Sequence, residues 1–66
     1  MSTPEHGQQR AVLNVNETSE YLRLSRRTVY AYAGSHLLPH VRAGRRLLFR
    51  RVDLDRWLDD RLVPAE

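Results

Sequence analysis

Apolar side chains return every three or four positions over much of this chain. Val15, Thr18, Ser19 and Leu22 fall on one helical face, and Val29, Tyr32 and Ala33 fall on another. The spacing predicts one helix from about Val15 to Leu22 and a second from Arg26 to about Ala33. Asn14 stands where its side chain can accept from the first amides of the first helix, and Glu17 can reach back to it, as in a capping box. Leu13, just before the cap, is placed to pack on Thr18. The small residues Thr18 and Ser19 let another helix approach closely. Ser25 caps the second helix after the short connection Arg23-Leu24. Gly34 to Pro39 reads as a loop whose Leu37 and Leu38 enter the core. His40-Val41-Arg42 and Leu47-Leu48-Phe49 then flank Ala43-Gly44-Arg45-Arg46, a hairpin in which Gly44 supplies a positive φ. Val41, Leu47 and Phe49 are expected to share its buried face. A third helix is expected from Val52 to about Leu62, with Leu54, Trp57, Leu58 and Leu62 on its apolar stripe. That stripe makes Trp57 a core residue.

Two short helices joined by so few residues, the second opening on Ser-Arg-Arg-Thr, read as a helix-turn-helix. With the hairpin beside it, the expected fold is mainly α with a small two-stranded wing. The domain is expected over residues 13–62, with an unstructured tail at 1–12 and another at 63–66. The 66 residues allow one small domain at most. There is no Cys, which excludes disulfides and thiolate metal sites and fits a reducing compartment. No apolar run reaches the roughly 18 residues of a spanning helix, and the N-terminus lacks the pattern of a secretory signal. The expectation is a cytoplasmic protein with no membrane partner.

Charge sharpens this picture. The net charge is +3, and all eleven basic residues are Arg. Five of them lie in VRAGRRLLFRR, residues 41–51, with no acid among them. The stretch from 52 to 66 sets Arg56 and Arg61 against Asp53, Asp55, Asp59, Asp60 and Glu66. A basic face and an acidic element suggest a polyanion on one side of the molecule. Within the third helix, Arg51–Asp55 and Arg56–Asp60 are spaced as i, i+4 pairs.

The first turn of the second helix in such a unit is where side chains meet base edges and phosphates. Arg26 and Arg27 would work there with Tyr30, unless Tyr30 only covers the wing. Cations oppose the helix dipole at that end, so Arg26 and Arg27 are poor choices for stability alone. At the hairpin tip, Arg45 and Arg46 would enter the minor groove or grip phosphates, with Arg42, Arg50 and Arg51 along the base. About five such arginines would give log K against log salt a slope near −4 to −5. The competing reading of the hairpin is edge protection, since charges on short edge strands also prevent aggregation. His36 and His40 stand four apart, but Pro39 lies between them and no third ligand is evident, so no metal site is expected. Ser19, His36 and Asp53 form a catalytic trio on paper only. No nucleophile motif surrounds a serine, so neither an enzyme nor a cofactor is expected.

Four pieces carry a resemblance: Leu-Arg-Leu-Ser-Arg-Arg-Thr-Val-Tyr at 22–30, Leu-Pro at 38–39, Val-Arg-Ala-Gly-Arg-Arg at 41–46 and Asp-Leu-Asp-Arg-Trp-Leu at 53–58. With them, residues 13–61 resemble the winged helix-turn-helix domain of phage and plasmid excisionases, and are similar to the DNA-binding domain of MerR-type regulators. The resemblance implies a recognition helix in the major groove of double-stranded DNA and a wing at the adjacent minor groove. It carries DNA contact onto Ser25, Arg26, Arg27, Thr28 and Tyr30 in the helix, and onto Arg42, Gly44, Arg45 and Arg46 in the wing. Excisionases of this kind are not enzymes. They bind repeated sites, often cooperatively with copies of themselves, and bend the DNA so that a separate integrase runs excision; some also repress transcription. The chain departs from the family at His36, where the family has Gly. Either the second helix ends earlier, or His36 takes a left-handed conformation. Ala31 and Ala33 are smaller than the family's residues there.

The resemblance therefore implies an excisionase, a recombination directionality factor. A small MerR-like transcriptional regulator is the alternative, although such regulators continue into a long dimerising helix and this chain shows no heptads after Leu62. A protein-interaction module whose basic hairpin meets an acidic partner is the alternative of another class.

Overall fold

A computed structural model of the chain describes residues 10–65. Its elements are strand β1 (Val12–Leu13), helix α1 (Val15–Leu22), helix α2 (Arg26–Gly34), strands β2 (Val41–Ala43) and β3 (Arg46–Arg50), and helix α3 (Arg51–Asp60). Three helices and a small antiparallel sheet of order β1-β3-β2 make a winged helix-turn-helix arrangement.

Local chemistry sets the helix starts. Asn14 Oδ1 accepts from Glu17 N–H at 2.8 Å, and Glu17 Oε1 accepts from Asn14 N–H at 2.9 Å, completing the capping box. Ser25 Oγ accepts from Thr28 N–H at 3.1 Å at the head of α2. Both helices leave through a non-glycine residue in the left-handed region. Arg23 has φ +61, and its amide and that of Leu24 close on Ser19 O. His36 has φ +62, and the amides of Leu37 and Leu38 both close on Tyr32 O. Of the two expectations for His36, the left-handed one holds, and α2 runs on through Gly34.

The core is Leu13, Leu22, Val29, Ala33, Leu38, Phe49 and Leu54, with Val15, Leu24, Tyr32, Leu47 and Trp57 packed against it. Thr18 is also fully buried. The predicted helical stripes supply most of this set. The exceptions have geometric causes. Val41 is exposed because the register sets it opposite Leu48, while Phe49 shares its face with Leu13 and Leu47. Leu37 points outward and Leu38 inward, as neighbours in a non-helical segment do. Leu58 is exposed on α3, and Leu62 lies beyond the end of that helix, which starts at Arg51 and stops at Asp60.

Strand β1 is an element that hydrophobic spacing does not predict. Leu13 pairs with Phe49 and Val12 with Arg50, one residue ahead of the expected domain boundary. The pairing continues into the start of α3, where Arg51 N–H donates to Ala11 O at 2.9 Å. The wing is thus the outer part of a three-stranded sheet and is anchored to the first helix through Leu13-Asn14. Of the expected N-terminal tail, residues 1–9 lie outside the described residues.

Further contacts tie α3 to the other helices and to the α2–β2 loop. The Tyr21 hydroxyl donates to Asp55 Oδ1, joining α1 to α3. That bond, with some burial, raises the Tyr21 pKa above its ordinary value. Trp57 Nε1 donates to Leu37 O at 2.9 Å, and its ring packs at 6.2 Å from Tyr32. The Arg61 guanidinium covers the outer face of the indole, 4.2 Å from its centre. Trp57 is therefore half-buried, a strap over the α2–β2 loop, where the stripe predicted a core residue.

Candidate nucleic-acid interface

Helix α2 buries Val29 and Ala33, which fixes where its other side chains go. At 100° per residue, Arg26 and Tyr30 lie on the flank beside that stripe, and Arg27 and Ala31 lie a quarter turn further out. Tyr30 is 57% exposed, a large aromatic held at the surface. Ser25 and Thr28 are engaged with one another: besides the cap, the Ser25 hydroxyl donates to Thr28 Oγ1 at 2.9 Å.

The wing turns through Gly44-Arg45, a two-residue loop between the facing residues Ala43 and Arg46. Gly44 has φ +62 at the first loop position, where a II′ hairpin wants glycine. A Cβ there would meet no atom within 4 Å, so backbone conformation, not space, selects the glycine. One step down, Arg42 faces Leu47 on the side of the sheet that Phe49 uses to enter the core.

These placements build one open groove. Arg26, Tyr30, Ala33 and Gly34 from α2 form one wall, and Arg42, Arg45, Arg46 and Leu47 from the wing form the other. Asn14, Val15 and Asn16, at the start of α1, complete its lining. Within that lining, Arg26 Nη1 donates to Asn16 Oδ1 at 3.2 Å. Among the described residues, no carboxylate pairs with Arg26, Arg27, Arg42, Arg45 or Arg46. The structure thus brings together five of the nine residues singled out from the sequence: Arg26, Tyr30, Arg42, Arg45 and Arg46. Arg27 is exposed on the adjoining outward face of α2, Ser25 and Thr28 cap the helix, and Gly44 forms the tip. Sequence reasoning missed Asn16 at this groove. Its only sequence signal is position, two residues after a strong helix cap.

Arg50 and Arg51 do not extend the basic wall as expected. Arg50 makes a two-pronged bond to Asp53, Nε to Oδ2 at 2.7 Å and Nη2 to Oδ1 at 2.9 Å. This pair raises the Arg50 pKa and holds the Asp53 carboxyl below the ordinary carboxylate range. Arg51 is the first residue of α3. The hairpin's charge is therefore divided: its tip faces the groove, and its base begins the last helix.

A second concavity lies between the α2–β2 loop and α3, lined by His36, Pro39, Asp53, Trp57 and Asp60 among others. The rings of His36 and His40 stack 5.9 Å apart, and His40 Nδ1 donates to Leu38 O at 2.9 Å. Among the described residues, no group of three or more His, Cys, Asp or Glu is placed to hold a metal ion. No helix of the described residues is long and apolar enough to cross a membrane.

The family model described as "helix-turn-helix domain" matches residues 12–62. Its span begins at Val12, where strand β1 begins. No curated protein and no solved structure matches the chain.

Proposed function

The chain belongs to the helix-turn-helix domain family, and from that premise we propose that it is an architectural, sequence-specific DNA-binding protein, an excisionase that binds and bends attachment-site DNA alongside an integrase. Helix-turn-helix domains are typically binding modules, and the proposed role needs no catalytic residue. The observation that carries the DNA reading is the groove that Arg26 and Tyr30 of α2 line together with Arg42, Arg45 and Arg46 of the wing, with no carboxylate of the described residues paired to these arginines. A helix and a hairpin that present unpaired guanidinium groups to one concavity suit a polyanion of regular shape. In this reading Arg27, exposed on the outward face of α2, reads a base edge when that helix lies in the major groove. Ser25, Thr28 and Gly44 act mainly by shaping the helix start and the wing tip, with their backbone groups near phosphate.

The excisionase role rests on the four sequence pieces at 22–30, 38–39, 41–46 and 53–58. A MerR-like transcriptional regulator would use the same contacts, and the two separate by what the DNA does. Gel retardation on attachment-site and promoter duplexes, with the bend angle measured by permuting the site along the fragment, tests the reading. Retardation with a large bend, and several protein copies along the attachment site, supports the excisionase. Retardation of promoter DNA with little bend supports the regulator. No retardation of any duplex at low salt removes both, and leaves the acidic-protein partner as the reading to pursue.

A further inference from the structure

Arg26 is the groove arginine with a side-chain tether. Its Nη1 donates to Asn16 Oδ1, a residue ten positions earlier on a different helix. An arginine side chain on a surface ordinarily samples many rotamers, and ordering it on binding costs affinity. Here α1 supplies the ordering before any ligand arrives. The tether also sits where it matters, because Asn16, Arg26 and Arg42 all line the groove.

The choice of amide is informative. An aspartate at position 16 would hold Arg26 more strongly, but would neutralise it and place negative charge in the groove. The asparagine oxygen accepts one guanidinium hydrogen, leaves the cation its full charge, and leaves the amide N–H groups free to donate. Position 16 lies in the first turn of α1, where an acid would favour the helix through its dipole. An uncharged residue there is what a site for an anion requires.

We propose that Asn16 is a positioning residue for nucleic-acid binding: it holds the Arg26 guanidinium in the groove so that Arg26 and Arg42 grip the sugar-phosphate backbone passing between helix α2 and the wing. Resting on the DNA reading above, this assigns Arg26 a sequence-independent role and leaves base discrimination to Arg27.

The test is a double-mutant cycle of Asn16→Ala and Arg26→Ala, read by fluorescence anisotropy on a short random-sequence duplex at low salt, with Asn16→Asp as a further variant and the melting temperature measured for each. Asn16→Ala should weaken binding by about threefold to tenfold in the wild-type background, and should have no effect once Arg26 is alanine. Asn16→Asp should leave the melting temperature unchanged or raised and weaken binding more than Asn16→Ala does. A merely structural asparagine would move melting temperature and affinity together, with or without Arg26. Independent effects of the two alanines, or an Asn16→Asp protein that binds like wild type, would overturn the inference while the DNA reading stood. A wild-type protein that binds no duplex at all would remove both.

Discussion

Tyr30 of helix α2 and Arg46 of strand β3 line the same groove, although sixteen positions separate them in the chain and neither enters the core. Their common groove follows from strand β3 and helix α2 burying their inner faces in one core, β3 through Phe49 and α2 through Val29 and Ala33.

Arg46→Ala and Arg45→Ala should each weaken binding to specific and random duplexes alike. Each should flatten the dependence of log K on log salt by about one unit, because each removes one phosphate neutralisation. Titrations at several salt concentrations measure this directly. An unchanged slope for either variant would take that arginine out of the interface.

Arg27→Ala should behave differently. Arg27 points outward from α2, away from the groove wall formed by Arg26 and Tyr30. Its loss should erode discrimination between the preferred site and random DNA by about 1–3 kcal/mol if it makes a two-pronged contact to guanine. Equal losses on both duplexes would refute base reading by Arg27.

Thr18 is fully buried, and its hydroxyl oxygen has no hydrogen-bond partner among the described residues. Thr18→Val keeps the shape and a similar helix propensity while removing the stranded hydroxyl. The variant should gain about 1 kcal/mol of stability, seen as a rise of about 4–8 °C in melting temperature. A loss of stability would mean that the hydroxyl has a partner after all.

His36 and Gly44 both sit near φ +62, yet they should respond in opposite ways. His36→Gly removes the crowding of a side chain in the left-handed region and should stabilise the fold by about 0.5–1 kcal/mol, after the entropy of the freer unfolded chain is subtracted. Gly44→Ala introduces that crowding and should destabilise by about 1 kcal/mol. Chemical denaturation of the two variants tests the pair.

The Arg50–Asp53 bond makes stability depend on acid. The bonded Arg50, and to a lesser degree the charge of Arg56, hold the folded-state pKa of Asp53 below its ordinary 3.8. The unfolded chain therefore takes up the proton first as pH falls. The contribution of the pair is complete above 3.8 and disappears as pH drops through the lower folded-state value. The stability difference between wild type and Asp53→Asn should be constant near neutrality and should shrink below pH 3.8. Tyr21 runs the other way: its pKa is raised by the bond to Asp55, so its contribution is present below its ordinary 10.0 and is lost above it.

Much of this protein was legible in the order of its residues because the relevant forces act over three or four positions. The Asn14–Glu17 box, the Ser25 cap and the Leu22, Val29 and Ala33 stripes are settled by neighbours on one helix turn, and the structure agrees with them. The Gly44 turn is equally local. The division of the wing's arginines was not legible, because hydropathy carries no register. Strand β1 spans two residues, too short for any period to show. Its pairing of Val12 with Arg50 and Leu13 with Phe49, and that of Val41 with Leu48, decided which side chains faced inward. Tertiary packing then brought Asn16 to Arg26, Tyr21 to Asp55 and Arg26 to the wing. Those meetings depend on how three short helices and a sheet close around Phe49 and Leu54, contacts between residues far apart in sequence that local periodicity does not encode.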